Sequence, residues 1–222
     1  MEEKNYKIYD SLYNVIGVAP YEEVHTKGLL HQVVHFWLAE KKENQLWFYL
    51  QKRADNDIVY KGAYDILTSG HIDPEETHEE AMVHQIKEQL GVSLQKEQLT
   101  YIGHIHQQIK KGTYFDNAFV QSYLYVTDHA EKDFAGVDNV VKVKFEELVA
   151  FVGDLDKKVA VYTTEGKLIE ETKYRRCNGG SASVYTTEGK LIEETTHDQW
   201  WLRDEEFEKV VEPYIKEHLH NY

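Results

Sequence analysis

The stretch Gly70–Val92, GHIDPEETHEEAMVHQIKEQLGV, constrains the fold more than any other part of the chain. Thr77 with Glu80 three residues on is a capping box: the threonine oxygen accepts from the backbone N–H of Glu80, and the glutamate reaches back to the N–H of the cap. A helix is therefore predicted to begin after Thr77. It is predicted to close at Gly91, where a residue lacking Cβ takes the left-handed conformation that ends helices. Val83, Ile86 and Leu90 lie at i, i+3 and i+7 and form the predicted buried stripe. The polar face reads His84, Gln85, Glu88, Gln89. Positions 85, 88 and 89 are i, i+3 and i+4, so their side chains sit together.

Leu29–Leu38 (LLHQVVHFWL) and Gln45–Gln51 (QLWFYLQ) read as buried strands on either side of the polar turn EKKEN. Tyr64–Leu67 reads as a short strand, with Gly62 and Gly70 as tight turns around it. Leu99–His106 and Phe119–Thr127 are predicted strands, and Lys144–Phe151 a short helix. Asp204–Leu219 is a predicted helix that Pro213 kinks or breaks. Strands, a helix, more strands and a helix predict an α/β (α+β) sandwich with a mixed β-sheet.

VYTTEGKLIEET occurs at Val161–Thr172 and again, identically, at Val184–Thr195. Chance does not produce such an identity. Each copy has a hairpin pattern, strand, Glu-Gly turn, strand. KYRRCNGGSAS between them is linker-like. The expected organisation is one domain over 1–222, with 173–195 an inserted linker plus duplicate of 161–172. Surface loops tolerate such insertions at small entropic cost. The competing reading is a sensor or dimerisation arm, and a homodimer through edge pairing or swapping stays compatible with the pattern.

The net charge of −14 disfavours polyphosphate backbones, so no nucleic acid polymer is expected as a partner. No apolar run approaches 18 residues and Met1–Asp10 lacks a signal-peptide pattern. The expectation is no membrane and a cytoplasmic location. A single cysteine, Cys177, excludes an internal disulfide and a multi-cysteine metal site.

Gly70–Val92 resembles the Nudix (MutT-like) box, G-x5-E-x7-R-E-U-x-E-E-x-G-U, with U an aliphatic residue. Gly70, Glu76, Ile86, Glu88, Gly91 and Val92 fall in register. GLLHQVVHFWL, LQKRA, DILTSGH and FDNAF resemble the branch close to isopentenyl-diphosphate isomerase, and the resemblance runs from about Tyr9 to Phe151. It implies a Nudix-type α/β/α sandwich and cleavage of a small-molecule diphosphate by water with Mg2+ or Mn2+. Glu88 is then the metal ligand and catalytic carboxylate, Glu76 its structural support, and Arg53 and His71 the substrate contacts.

The chain departs from the pattern where charge matters. His84 stands at the arginine position that pairs with Glu76, and Gln85 and Gln89 stand at glutamate positions. Asp57 replaces a common lysine, and Ala118 a common acid. Mg2+ needs hard oxygen ligands, usually carboxylates. Glutamine carries no charge and cannot act as a base. The expectation is a depleted metal site, weak metal binding and weak or absent hydrolysis. Histidines 71, 78, 84, 104 and 106 offer a rebuilt Zn2+ or Mn2+ site, or are surface and packing residues in a chain with twelve histidines. Three functions compete: a diphosphate hydrolase, a non-catalytic ligand-binding or regulatory protein with the same pocket, and an isoprenyl-diphosphate isomerase. The last is weakest, because the family's isomerase cysteine near DILTSGH is missing.

Overall fold

The computed structural model describes residues 4–54, 63–134, 136–153, 158–173, 182–185, 191–195 and 206–219. They belong to two compact units, residues 1–36 with 68–125, and residues 37–67 with 126–222. The fold is α+β, with a mixed sheet and flanking helices.

In the first unit β1 (Asn5–Tyr9) and β2 (Val15–Pro20) form an antiparallel pair. Asp10 shapes their connection by accepting from the backbone N–H of Leu12 and Asn14 at 2.8 and 2.9 Å. Helix α1 (Tyr21–Lys27) follows and ends at Gly28. Strand β3 (His31–Lys42) gives its first half to this unit, where Val33–Phe36 pair antiparallel with β6 (Thr68–His71). Helix α2 (His78–Leu90) has both bonds of the capping box, and Gly91 closes it at φ 69°. Strands β7 (Thr100–Lys111) and β8 (Tyr114–Thr127) make a long hairpin.

Two sequence expectations are corrected here. The buried stripe of α2 is Met82, Ile86 and Leu90 with Ala81, whereas Val83 is only half-buried. The apolar choice at i+3 or i+4 depends on the surface that the helix meets, and here 82, 86 and 90 face inward. Gly70 is not a turn but lies within β6, opposite Val34.

In the second unit β3 pairs with β4 (Gln45–Lys52). The turn is two residues, not the five of EKKEN: Glu43 and Asn44 both have positive φ, 54° and 59°. That is the twist a two-residue hairpin needs, and asparagine tolerates it. β5 (Tyr64–Ile66) and β9 (Val140–Lys144) also pair with β4. Beyond β9 come β10 (Lys158–Thr163) and β11 (Leu168–Lys173). The second copy of the repeat forms a separate two-stranded sheet from β12 (Ala182–Tyr185) and β13 (Leu191–Thr195).

Two further helices complete this unit's helical pieces before the chain's last helical segment: α3 (Ala130–Asp133) and α4 (Phe145–Gly153). A π-helical turn, Phe207–Val211, then leads into α5 (Glu212–His218). Pro213 sits at the start of α5, and its missing N–H accounts for the widened turn just before it. Trp37, Phe48, Phe145 and Phe207 pack at ring separations of 5.6–6.2 Å. The Trp37 indole donates to buried Glu206 at 2.8 Å. Buried Lys142 is matched by Glu131 at 3.1 Å and Glu40 at 3.7 Å.

Candidate functional site

The polar face of α2 is tied to β6. Gln89 Oε1 accepts from Thr68 Oγ1 at 2.5 Å, and its Nε2 donates to Ser69 O at 2.9 Å and to Gln85 Oε1 at 2.7 Å. Gln85 Nε2 donates to His71 O at 3.4 Å. The approach is close: a Cβ on Gly70 would stand 2.2 Å from Gln85 Cδ, so the Gln85 side chain would have to leave its place on β6. A carbonyl oxygen only accepts, so these bonds depend on amide N–H groups that glutamate lacks. Glu88 is exposed, with His84 Nε2 3.7 Å away. His84 Nδ1 meets Glu76 Oε1 at 3.0 Å. Asp73, Glu76 and His84 bring ligand atoms within 4.8 Å of one another, all half-buried.

A second cluster lies deeper in the same unit. His25 from α1, His31 from β3 and His71 from β6 bring ring nitrogens within 4.8 Å of one another. Local structure orients two of them. His25 Nδ1 faces Tyr21 O at 2.9 Å, and His31 Nδ1 faces Leu29 O at 3.0 Å. Because a carbonyl accepts, each Nδ1 carries the hydrogen, and in the neutral ring each Nε2 is a lone pair. Asp116 Oδ1, from β8, stands 3.9 Å from His25 Nε2 and 3.3 Å from His31 Nε2. His71 Nε2 is 3.3 Å from His25 Nε2. His31 is fully buried, and its Nε2 has no hydrogen-bond partner among the described residues.

Rings wall this cluster from water. Tyr114 stacks on His25 at 4.9 Å and 14°, Tyr21 packs on His25 at 4.1 Å, and Tyr6 packs on His71 at 4.5 Å. Burial lowers the pKa of His25, helped by His31 and opposed by the Tyr21 carbonyl and Asp116. Burial, then the nearby His31 and His25, pull His71 down to about 3. Three imidazoles beside a carboxylate, two of them with Nδ1 held against a backbone carbonyl, are a donor set that suits a divalent transition metal.

The structure thus brings His71, one of the expected ligand contacts, together with residues that sequence reasoning missed: His25, His31 and Asp116. The available signal was a histidine in the apolar run LLHQVV, which marks a buried imidazole. Glu76, His84 and Glu88 gather at α2, His84 lying 3.0 Å from Glu76 and 3.7 Å from Glu88. Arg53 belongs to the second unit and pairs with Asp65 at 3.1 Å. His78 bonds the Tyr123 hydroxyl, His104 the Tyr101 hydroxyl at 2.9 Å, and His106 Asn117 at 2.7 Å, so these three serve local contacts. Ala118 is buried with Val33 and Val120, in the core rather than at a ligand position. Asp57 and Cys177 lie outside the described residues.

An α+β protein built on a capped loop–helix–loop, with a glycine strand pressed on the helix, is the class that fold and site define. The chain belongs to the Nudix family: the model described as NUDIX domain matches residues 29–162. It is 28% identical over 175 residues to an uncharacterized Nudix hydrolase of Clostridium acetobutylicum, covering 77% of this chain and 83% of that protein. It is 28% identical over 178 residues to Nudix hydrolase 3 of Arabidopsis thaliana, covering 75% of this chain and 22% of that longer protein. Among solved structures, DR0079 from Deinococcus radiodurans aligns at TM-score 0.46 and 18% identity, over 68% of this chain and 89% of that one. Nudix hydrolases in general use divalent metals. Among the described residues no helix is long and apolar enough to cross a membrane.

Proposed function

We propose that the chain binds a diphosphate-containing small molecule through a divalent cation held by His25, His31, His71 and Asp116, with α2 as scaffold and little diphosphatase activity. The observation that carries this reading is the convergence of three imidazoles whose ring nitrogens lie within 4.8 Å of one another, with Asp116 Oδ1 3.3 Å from His31 Nε2 and 3.9 Å from His25 Nε2. A cation at the centre of this cluster would be held by imidazole nitrogens and a carboxylate oxygen together. Three imidazoles and one carboxylate suit Zn2+ or Mn2+ better than Mg2+, which prefers oxygen.

Within the box, helix α2 does not fit the Mg2+ that the family pattern implies. Its face offers one carboxylate, Glu88, while Gln85 and Gln89 are committed to β6. No hydrolytic step is therefore routed through that face. His71 remains a proposed contact to the ligand, through the cation.

Two measurements test this. Titration calorimetry with Zn2+ and Mn2+ is expected to give one tight site, weakened by about tenfold or more in His31→Gln. Unchanged affinity in that variant would sink the site. A panel of nucleoside diphosphate compounds with Mn2+ is expected to show turnover well below about one per second, the low end of ordinary enzymes. Turnover at or above that rate would sink the scaffold reading of α2.

A further inference from the structure

The two copies of VYTTEGKLIEET fold with the same internal register. In the first, Val159 opposes Thr172, Val161 opposes Glu170 and Tyr162 opposes Leu168, with a bulge between Val161 and Tyr162. In the second, Ala182 opposes Thr195, Val184 opposes Glu193 and Tyr185 opposes Leu191, with the bulge between Val184 and Tyr185. These pairings recur 23 residues later. The environments differ: β10 of the first copy pairs with β9, Tyr162 opposite Lys142 and Thr163 opposite Val141, whereas the second copy is a sheet by itself.

We infer that the two hairpins compete for the single place beside β9, so that a 23-residue shift of the chain exchanges one for the other within one molecule. Almost everything that seats the first copy exists in the second. Buried Val161 has its counterpart in Val184, and Tyr162, edge-on to Trp47 at 5.1 Å, in Tyr185. The Ala160 N–H that donates to Glu147 at 3.1 Å is a backbone group that Ser183 also carries. Loop closure does not choose between them, because the additional 23 residues lie after the seated hairpin in one state and before it in the other. The choice falls to one buried side chain outside the repeat. Val159 is fully buried, and the residue at its place in the second copy is Ala182. Two missing methyl groups leave the second copy seated in a minor population, roughly a tenth to a hundredth of the chains.

Paired cysteines read the exchange. In the full chain with Cys177→Ser, Val141→Cys/Thr163→Cys bridges the first copy to β9, and Val141→Cys/Thr186→Cys bridges the second. Under mild oxidation both pairs are expected to close within single chains, the second about tenfold or more slower. Adding Ala182→Val, which changes only the unseated hairpin in the major state, is expected to speed closure of the 141–186 pair about tenfold. Failure of the 141–186 pair to close while 141–163 closes overturns the inference, as does closure only between chains. An unchanged rate with Ala182→Val overturns the role given to Val159. Failure of both pairs overturns it too, since β10 would then not hold its place on β9.

Discussion

Gln85 and Gln89 stand where the family pattern has glutamates, and their amides explain why the exchange is not a neutral one in this chain. Each donates to a β6 carbonyl, and each would be left facing that carbonyl by a carboxylate. The double variant Gln85→Glu/Gln89→Glu is expected to strengthen Mn2+ binding on this face. In chelator it is expected to lose about 1 kcal/mol of stability, the net worth of hydrogen bonds in a half-exposed setting. Denaturant melts with and without Mn2+ read both effects. Equal stability in chelator would mean that the amide bonds contribute nothing, and unchanged Mn2+ affinity would remove the metal role of these positions.

At the scale of elements, α2 is specified locally. Thr77 accepts from the Glu80 N–H at 3.2 Å, and Glu80 accepts from the Thr77 N–H at 2.9 Å. Thr77→Ala is expected to cost about 1 kcal/mol in a chemical melt. No change would show that tertiary packing alone holds the helix start. The same helix shows where local pattern stops: apolar residues at 82, 83, 86 and 90 allow two stripes, and only the facing surface selects Met82 over Val83. The β3–β4 hairpin behaves alike. Its two strands are written in apolar runs, but the turn shrinks to Glu43-Asn44 because pairing continues to Lys42 opposite Gln45.

For the molecule as a whole, the buried histidines couple protonation to stability. In the unfolded chain imidazoles bind protons near pH 6.5, whereas native His71 resists until about 3. Between these values the unfolded state holds more protons, so stability is greatest above about pH 6.5 and falls as pH drops through that window. The net charge of −14 works oppositely, since acid relieves self-repulsion. Comparing metal-free wild type with His71→Gln separates the two: the wild type is expected to lose more stability between pH 7.5 and 5. Parallel profiles would show that His71 does not resist protonation.

Sequence alone determined the limits of α2, the buried strands after Gly28, the hairpin form of both repeats and family membership. Each is written in contacts a few residues apart or in a strand's own apolarity, so a window of chain contains the physics. Tertiary structure decided the proposed site. His25, His31, His71 and Asp116 come from α1, β3, β6 and β8, and no periodicity links them along the chain. Their meeting depends on the pairing of β3 with β6 and on the carbonyls of Tyr21 and Leu29, which turn two imidazoles inward. The sequence pointed to the box helix because its motif is contiguous, and the fold gathered the proposed donor set from residues that no motif spans.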